Sequence, residues 1–438
     1  MRKAGRMSAP TLLITGGTIV TGDGDPRDAH VVIEGRHIAE MRADTPIGRA
    51  GQVIDASGCL VLPGVVNGHA HGCTTGPLFS SAAPALEAAQ VRANLDRHLA
   101  AGVTTLVNVC GFGTFDDIPE HVIDIRLGTT HLPEALVAAG IVDGAGLDAA
   151  HRVMTAEEML RQGAVALGEI GSGATLGGGV AAYRYVPEAL EDALGRRIDP
   201  ETATHLIDAL VGPLRTGAPD DAGLERAIAA VGLPASCHGP AREAILRFAS
   251  EPVHASLDSF SEAIALAERH DRPAVFHVAA PSAQRLIELA RNSTARIVAG
   301  HVNHPSFAPD EAVHWAREFR AAGAVVDVSS LDVVHARRLA TPEVADALAR
   351  EGLVDTLSTD YAGGGWEPML GLVARWVSAG YLSLADGIAM CTSNPADVFG
   401  FTDRGRIREG LRADLVIVDR DDLEQVRSVV IGGRVVTA

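Results

Sequence analysis

The sequence predicts an α/β protein: a (β/α)₈, TIM-like barrel with a small β-sandwich domain formed by the N- and C-terminal segments. Three observations carry this. Short β segments bounded by Gly, Asp or Pro fill the first sixty residues and return at the end of the chain. Between them, apolar runs alternate with helical stretches, the pattern of βα units on a parallel sheet. Eight such runs can be counted, and several of them end on His, Glu or Asp.

Taken in order, the opening strands are TLLITGGTIVTG, HVVIEGRHIAEM and GQVIDASGCLVLPG, and the closing ones ADLVIVD and VRSVVIGGRVVTA. Pairing of the two ends places residues 1–62 and 396–438 in one sheet domain, with the barrel at 63–395 inserted between them. The eight barrel strands are expected at VLPGVVNGHAH (61–71), GVTTLVNVC (102–110), EALVAAGIVDGA (134–145), AVALGEIG (164–171), PAVFHVAA (273–280), ARIVAGHVNH (295–304), GAVVDVSS (323–330) and VDTLSTD (354–360). SFSEAIALAERH and DEAVHWAREFRAAG are helices between strands. Residues 177–259 are too long for one crossover helix and read as a mostly helical insertion after the fourth strand.

Composition narrows the function. With 438 residues, 47% hydrophobic and 21% charged, the chain can bury a large core, which excludes a disulfide scaffold or a disordered protein. A net charge of −18 repels polyanions, so no nucleic-acid or membrane partner is expected; a small-molecule substrate is. No apolar stretch reaches membrane-span length and MRKAGRMSAP lacks a secretory apolar region, so a cytoplasmic location is expected. Five cysteines without metal-finger spacing suit reduced thiols, with Cys73 a small buried filler. Lys3 is the only lysine, so the body of the chain can offer neither a Schiff base nor a carbamylated lysine.

Catalytic groups of such a barrel sit at the C-terminal ends of its strands. The polar residues there are His69 and His71, Glu169, His277, His301 and Asp360. In an extended strand His69 and His71 point to the same face. Singly, each has an ordinary structural reading as core or surface histidine, salt-bridged carboxylate or Asx turn; together they form a donor set for a pair of divalent ions such as Zn²⁺ or Fe²⁺.

LPGVVNGHAH, the tail TSNPADVFGFTDRGRIREGLRADLVIVD and the split terminal sheet resemble the amidohydrolase superfamily, whose barrels surround a mono- or binuclear metal centre. The resemblance implies that His69 and His71 serve one metal, His277 and His301 the other, and that Asp360 is the strand-eight aspartate. Many binuclear members use a carboxylated lysine on strand four; here GEIGSG puts Glu169 there, and a carboxylate can bridge two cations with its two oxygens. Among glutamate-bridged members, GEIGSG, VFHVAA, AGHVNHP and STDYAGG look most like enamidase. His238, in LPASCHGPAR, is a rival end for strand five; otherwise it lies in the insertion, facing the pocket or solvent.

The implied chemistry is hydrolysis of a C–N bond, a cyclic amide, lactam or enamide, by a metal-bound hydroxide with Asp360 as general base. His238, Asn303 and His304 are candidate substrate contacts, as are Ser329, Ser330 and the segment Gly363 to Trp366. Two other readings stand: a deaminase of an aminated heterocycle, for which no HxxE pattern near His277 supplies an acid, and a non-catalytic homologue. A homo-oligomer is expected, without a preferred size.

Overall fold

The computed structural model describes residues 12–44, 51–176, 184–330, 332–334, 337–338, 342–360 and 365–437. Its centre is an eight-stranded parallel sheet in chain order: Val65–Ala70, Val103–Asn108, Asp124–Thr129, Ala166–Ile170, Ala274–His277, Ile297–Gly300, Val325–Ser329 and Thr356–Ser358. Most of these strands are buried on both faces and read as apolar runs, because helices cover the outside and side chains fill the inside. The register His277↔Gly300 brings the ends of strands five and six level.

The sheet curls until its last strand meets its first. Asn67 makes the junction: its Nδ2 donates to Thr359 Oγ1 (2.7 Å) and its Oδ1 accepts from Thr359 N (3.2 Å). One residue on, Asp360 N donates to His69 O (2.9 Å). Closure of the barrel therefore fixes Asp360 beside His69.

The third strand is the one the sequence misplaced. Residues 134–145 are not a strand: Pro133 opens a helix, Pro133–Val142, and the strand is the preceding Asp124–Thr129, DIRLGT. An apolar run of this length has no period that separates a buried helix from a buried strand. Proline at the first helical position was the overlooked signal, since its missing N–H costs nothing there.

Four helices, Val186–Leu194, Pro200–Val211, Asp221–Ala230 and His238–Ile245, follow strand four and share a hydrophobic cluster of their own that includes Val186, Leu190, Leu206, Leu210, Leu224 and Ile245. The 20-residue helix Glu251–His270 then makes the crossover to strand five, turning Phe260, Ala263 and Ala267 toward the barrel. It ends on Asp271 in the left-handed conformation, φ +49°.

The chain ends form two further sheets. One orders His37–Arg42, His30–Glu34, Leu12–Thr15 and Gln52–Asp55; the other orders Arg434–Thr437, Val426–Ile431, Leu415–Asp419, Cys59–Pro63, Thr18–Ile19 and Arg27–Asp28. Leu12, Ile14, Ile19, Val31, Val61, Leu415 and Ile417 share one core between them. No helix among the described residues is long and apolar enough to cross a membrane.

Candidate metal centre

At the C-terminal ends of the strands the chain gathers six side chains of the types that bind metals, five of them buried. His69 and His71 leave the end of strand one on one face. Gly300 makes room for the first of them: a Cβ there would stand 3.1–3.2 Å from the His69 ring, so only a residue without one lets the ring lie against strand six. His301 and Asp360 both sit in the left-handed region, at φ +39° and +50°, a conformation that costs non-glycine residues and clusters at functional sites.

Glu169 is the hub. Its Oε1 lies 3.0 Å from His277 Nδ1, 2.8 Å from His301 Nε2 and 3.6 Å from His69 Nε2, while its Oε2 lies 3.6 Å from His71 Nε2. Asp360 Oδ1 lies 3.1 Å from His71 Nε2 and 3.5 Å from His69 Nε2. Ligand atoms of His69, His71 and Asp360 fall within 4.8 Å of one another, as do those of His69, Glu169 and His301. His69 thus belongs to both groups, and the two oxygens of Glu169 face different imidazoles.

The electrostatics have the same origin. Burial pushes His69 down to about 4, overriding the pull of Glu169 and Asp360. Burial opposes a charge on His301 too, but the Glu169 hydrogen bond and Asp360 hold it at about 9. For His71 the same burial is outweighed by the bonds to Asp360 and Cys110, which raise it well above 6.5. Burial disfavours both carboxylates as anions; the imidazoles nonetheless hold Glu169 well below 4.5 and Asp360 at about 2. The cationic forms of His71 and His301 and the anionic forms of the two carboxylates thus favour one another.

These residues fit divalent cations on their own terms. His69 Nδ1 and Nε2, His277 Nε2 and His301 Nδ1 are buried without a hydrogen-bond partner among the described residues, which a cluster of purely structural role would not leave. Four imidazoles and two carboxylates are a suitable donor set. Five of the six side chains are at most 8% exposed, whereas Asp360 is 30% exposed and forms the open edge.

Other sequence candidates divide. His304 is brought to the cluster: its ring centroid lies 5.2 Å from that of His277 and 5.6 Å from that of His301, and the charges of those neighbours add to burial in holding it neutral. Asn303 spends its amide on strand seven, donating to Ser329 O (2.9 Å) and accepting from Ser329 N (3.0 Å). His238 is not brought to the cluster. It begins a helix of the insertion and bonds Asp221 O (3.2 Å), because strand five is Ala274–His277 and ends on His277. Ser330 is buried, the Trp366 ring lies tilted against that of His98 (4.9 Å between centroids), and Gly363 lies outside the described residues.

Sequence reasoning missed the supports. Asp327 accepts from Thr356 Oγ1, Ser358 Oγ and His301 N, tying strands six, seven and eight, and burial lifts its pKa to about 6. Ser80 Oγ donates to Glu169 O (2.5 Å), and the Phe79 ring lies 5.0 Å from that of His71. Asp327 sat inside a predicted strand and was the one findable signal; the other two lie in a loop without a motif.

Residues 232–436 match the family described as Amidohydrolase family. Over 167 residues the chain is 31% identical to an α-D-ribose 1-methylphosphonate 5-triphosphate diphosphatase of Escherichia coli, covering 37% of this chain and 43% of that protein. Over 67 residues it is 40% identical to a 5-methylthioadenosine/S-adenosylhomocysteine deaminase of Halobacterium salinarum, 15% of each chain. The chain thus spans less than half the length of the curated relatives it matches. Among solved structures, a β-aspartyl dipeptidase of Fervidobacterium islandicum superposes with a TM-score of 0.57 at 15% identity, covering 97% of this chain and 96% of that one. The L-hydantoinase of Arthrobacter aurescens gives 0.53 at 16%, covering 98% and 96%. At such identities these two neighbours speak for the fold alone. Residues 232–436 thus match the amidohydrolase family by sequence, and the whole chain has the architecture of these two neighbours.

Proposed function

We propose that this protein is a metal-dependent hydrolase of a C–N bond, with a cyclic amide, lactam or enamide as substrate and His69, His71, Glu169, His277, His301 and Asp360 holding two divalent ions, Zn²⁺ or Fe²⁺. The observation that carries the reading is Glu169, whose two oxygens face different histidines at the floor of the barrel mouth. When bound, such cations acidify a coordinated water and polarise a carbonyl.

The chain's own groups do the rest. Asp360, ionised and on the open edge, takes the proton of the attacking water and hands it to the leaving nitrogen. The buried imidazoles keep bulk water from the reacting atoms. His304, held neutral and half-buried, stands where a ring substrate would meet the cluster. A cytoplasmic location and a homo-oligomer accompany this reading, as does the resemblance to enamidase.

A panel of hydantoins, lactams and cyclic enamides, read by appearance of the ring-opened acid, tests it. Turnover of at least one class is expected, with Asp360→Asn lowering kcat by about 10²–10⁴-fold. A second reading, deamination of an aminated heterocycle, has the short match to a deaminase in its favour. Ammonia release from such rings with no turnover on the amide arm would replace the first reading with the second.

A further inference from the structure

Of the four imidazoles in the cluster, three keep a buried nitrogen with no hydrogen-bond partner among the described residues: His69 Nδ1, His277 Nε2 and His301 Nδ1. His71 differs. Its Nδ1, on the side of the ring away from Glu169 and Asp360, lies 3.6 Å from Cys110 Sγ. Ligating histidines usually donate their other ring N–H to a protein group, which fixes tautomer and ring orientation and raises basicity at the ligating nitrogen. Here a thiol occupies that place.

We propose that Cys110 is a positioning residue for the metal centre, holding His71 as the Nδ1–H tautomer so that the Nε2 lone pair is aimed between Asp360 and Glu169. The surrounding bonds assign the direction. Cys110 Sγ is 3.7 Å from Asn108 Oδ1, an acceptor only, so the thiol hydrogen is directed there. Asn108 is in turn held by Cys73 N, which donates to the same oxygen (3.2 Å), and through its Nδ2 donating to Thr74 Oγ1 (3.3 Å). With its hydrogen committed, the sulfur accepts: the amides of Gly72 (3.4 Å) and Phe79 point at it, and His71 Nδ1 faces it as well. Cys110 and His71 are each about 1% exposed, so no water competes for that nitrogen.

This inference rests on the metal-centre reading, and its test separates the two. Cys110→Ser keeps an acceptor in place of the thiol and Cys110→Ala removes it. Zn²⁺ affinity is measured by chelator competition, the visible absorption of Co²⁺-loaded protein reports ligand geometry, and melting of the metal-free protein reports packing. Cys110→Ala is expected to lose about 10–100-fold in affinity at one equivalent and to shift the Co²⁺ bands, while Cys110→Ser recovers most of both. Equal loss in the two variants, or unchanged affinity and bands in Cys110→Ala, overturns the role of Cys110. Wild-type protein that takes up neither metal overturns the metal centre and this inference with it.

Discussion

The two ends of the barrel bury carboxylates in opposite ways. At the N-terminal end, Arg404, 5% exposed, pairs with Asp124 at the start of strand three and with Asp403, and donates to Thr105 Oγ1 (2.9 Å). At the start of strand eight, Asp355 takes Arg320 and the amide of Val326 (2.8 Å). Each of these carboxylates meets a guanidinium. At the C-terminal end, among the described residues, Glu169 and Asp360 pair only with imidazoles, four nitrogens lack partners and two residues hold left-handed backbone. One end spends its charges on holding the chain together; the other keeps unsatisfied donors that stability alone does not explain.

Substitutions at the two ends should therefore separate activity from stability. The largest effect is expected for His301→Asn, in which asparagine tolerates the left-handed φ of this position. Hydrolysis should fall by at least about 10³-fold, whereas the metal-free protein loses only the His301–Glu169 bond, Glu169 keeping that to His277, so its melting temperature should fall by no more than a few degrees. Parallel loss of activity and of metal-free stability would mean that the C-terminal end is structural after all.

Arg404→Met is the mirror experiment. It removes one of the two guanidiniums on Asp124, Arg126 being the other, and should cost about 1–3 kcal/mol in denaturant unfolding with kcat per folded molecule unchanged. Its pH dependence has a defined sign. Burial opposes ionisation of Asp124, but Arg126 and Arg404 hold its pKa below the usual 3.8. A depressed folded-state pKa contributes stability above the unfolded value, lost as pH falls through the folded one. The gap between wild type and Arg404→Met should accordingly be full at neutral pH and narrow below about pH 4. A gap that stays constant down to pH 2 would remove Asp124 from the account.

The smallest effect is expected for His238→Ala. Its imidazole is 31% exposed and bonded within the insertion, so kcat/KM should stay within about twofold of wild type. A tenfold drop would bring the insertion into the site.

How legible these ends were in the sequence differs for the same reason. The C-terminal end announces itself: HAH, FHV, GHV and STD each place a ligating residue at the close of an apolar run, and strand order collects them. The N-terminal end hides. Asp124 and Arg126 make DIRLGT read as a polar loop, and their partner Arg404 lies 280 residues away, so nothing local marks the run as a strand. The apolar LVAAGIV took its place in the reading, although it is a helix opened by Pro133. Asn67 to Thr359, Cys110 to His71 and Asp327 to Ser358 are likewise contacts between strands, visible only once the barrel closes.

The central claim is that Glu169 joins two cations, and metal content per protomer tests it most directly. Wild type and Glu169→Gln are purified without chelator and measured by elemental analysis for Zn and Fe. About two equivalents in wild type, falling sharply in Glu169→Gln, is the result predicted for a carboxylate bridge. About one equivalent in both proteins would contradict it, leaving Glu169 outside the metal's coordination and moving deamination to the front.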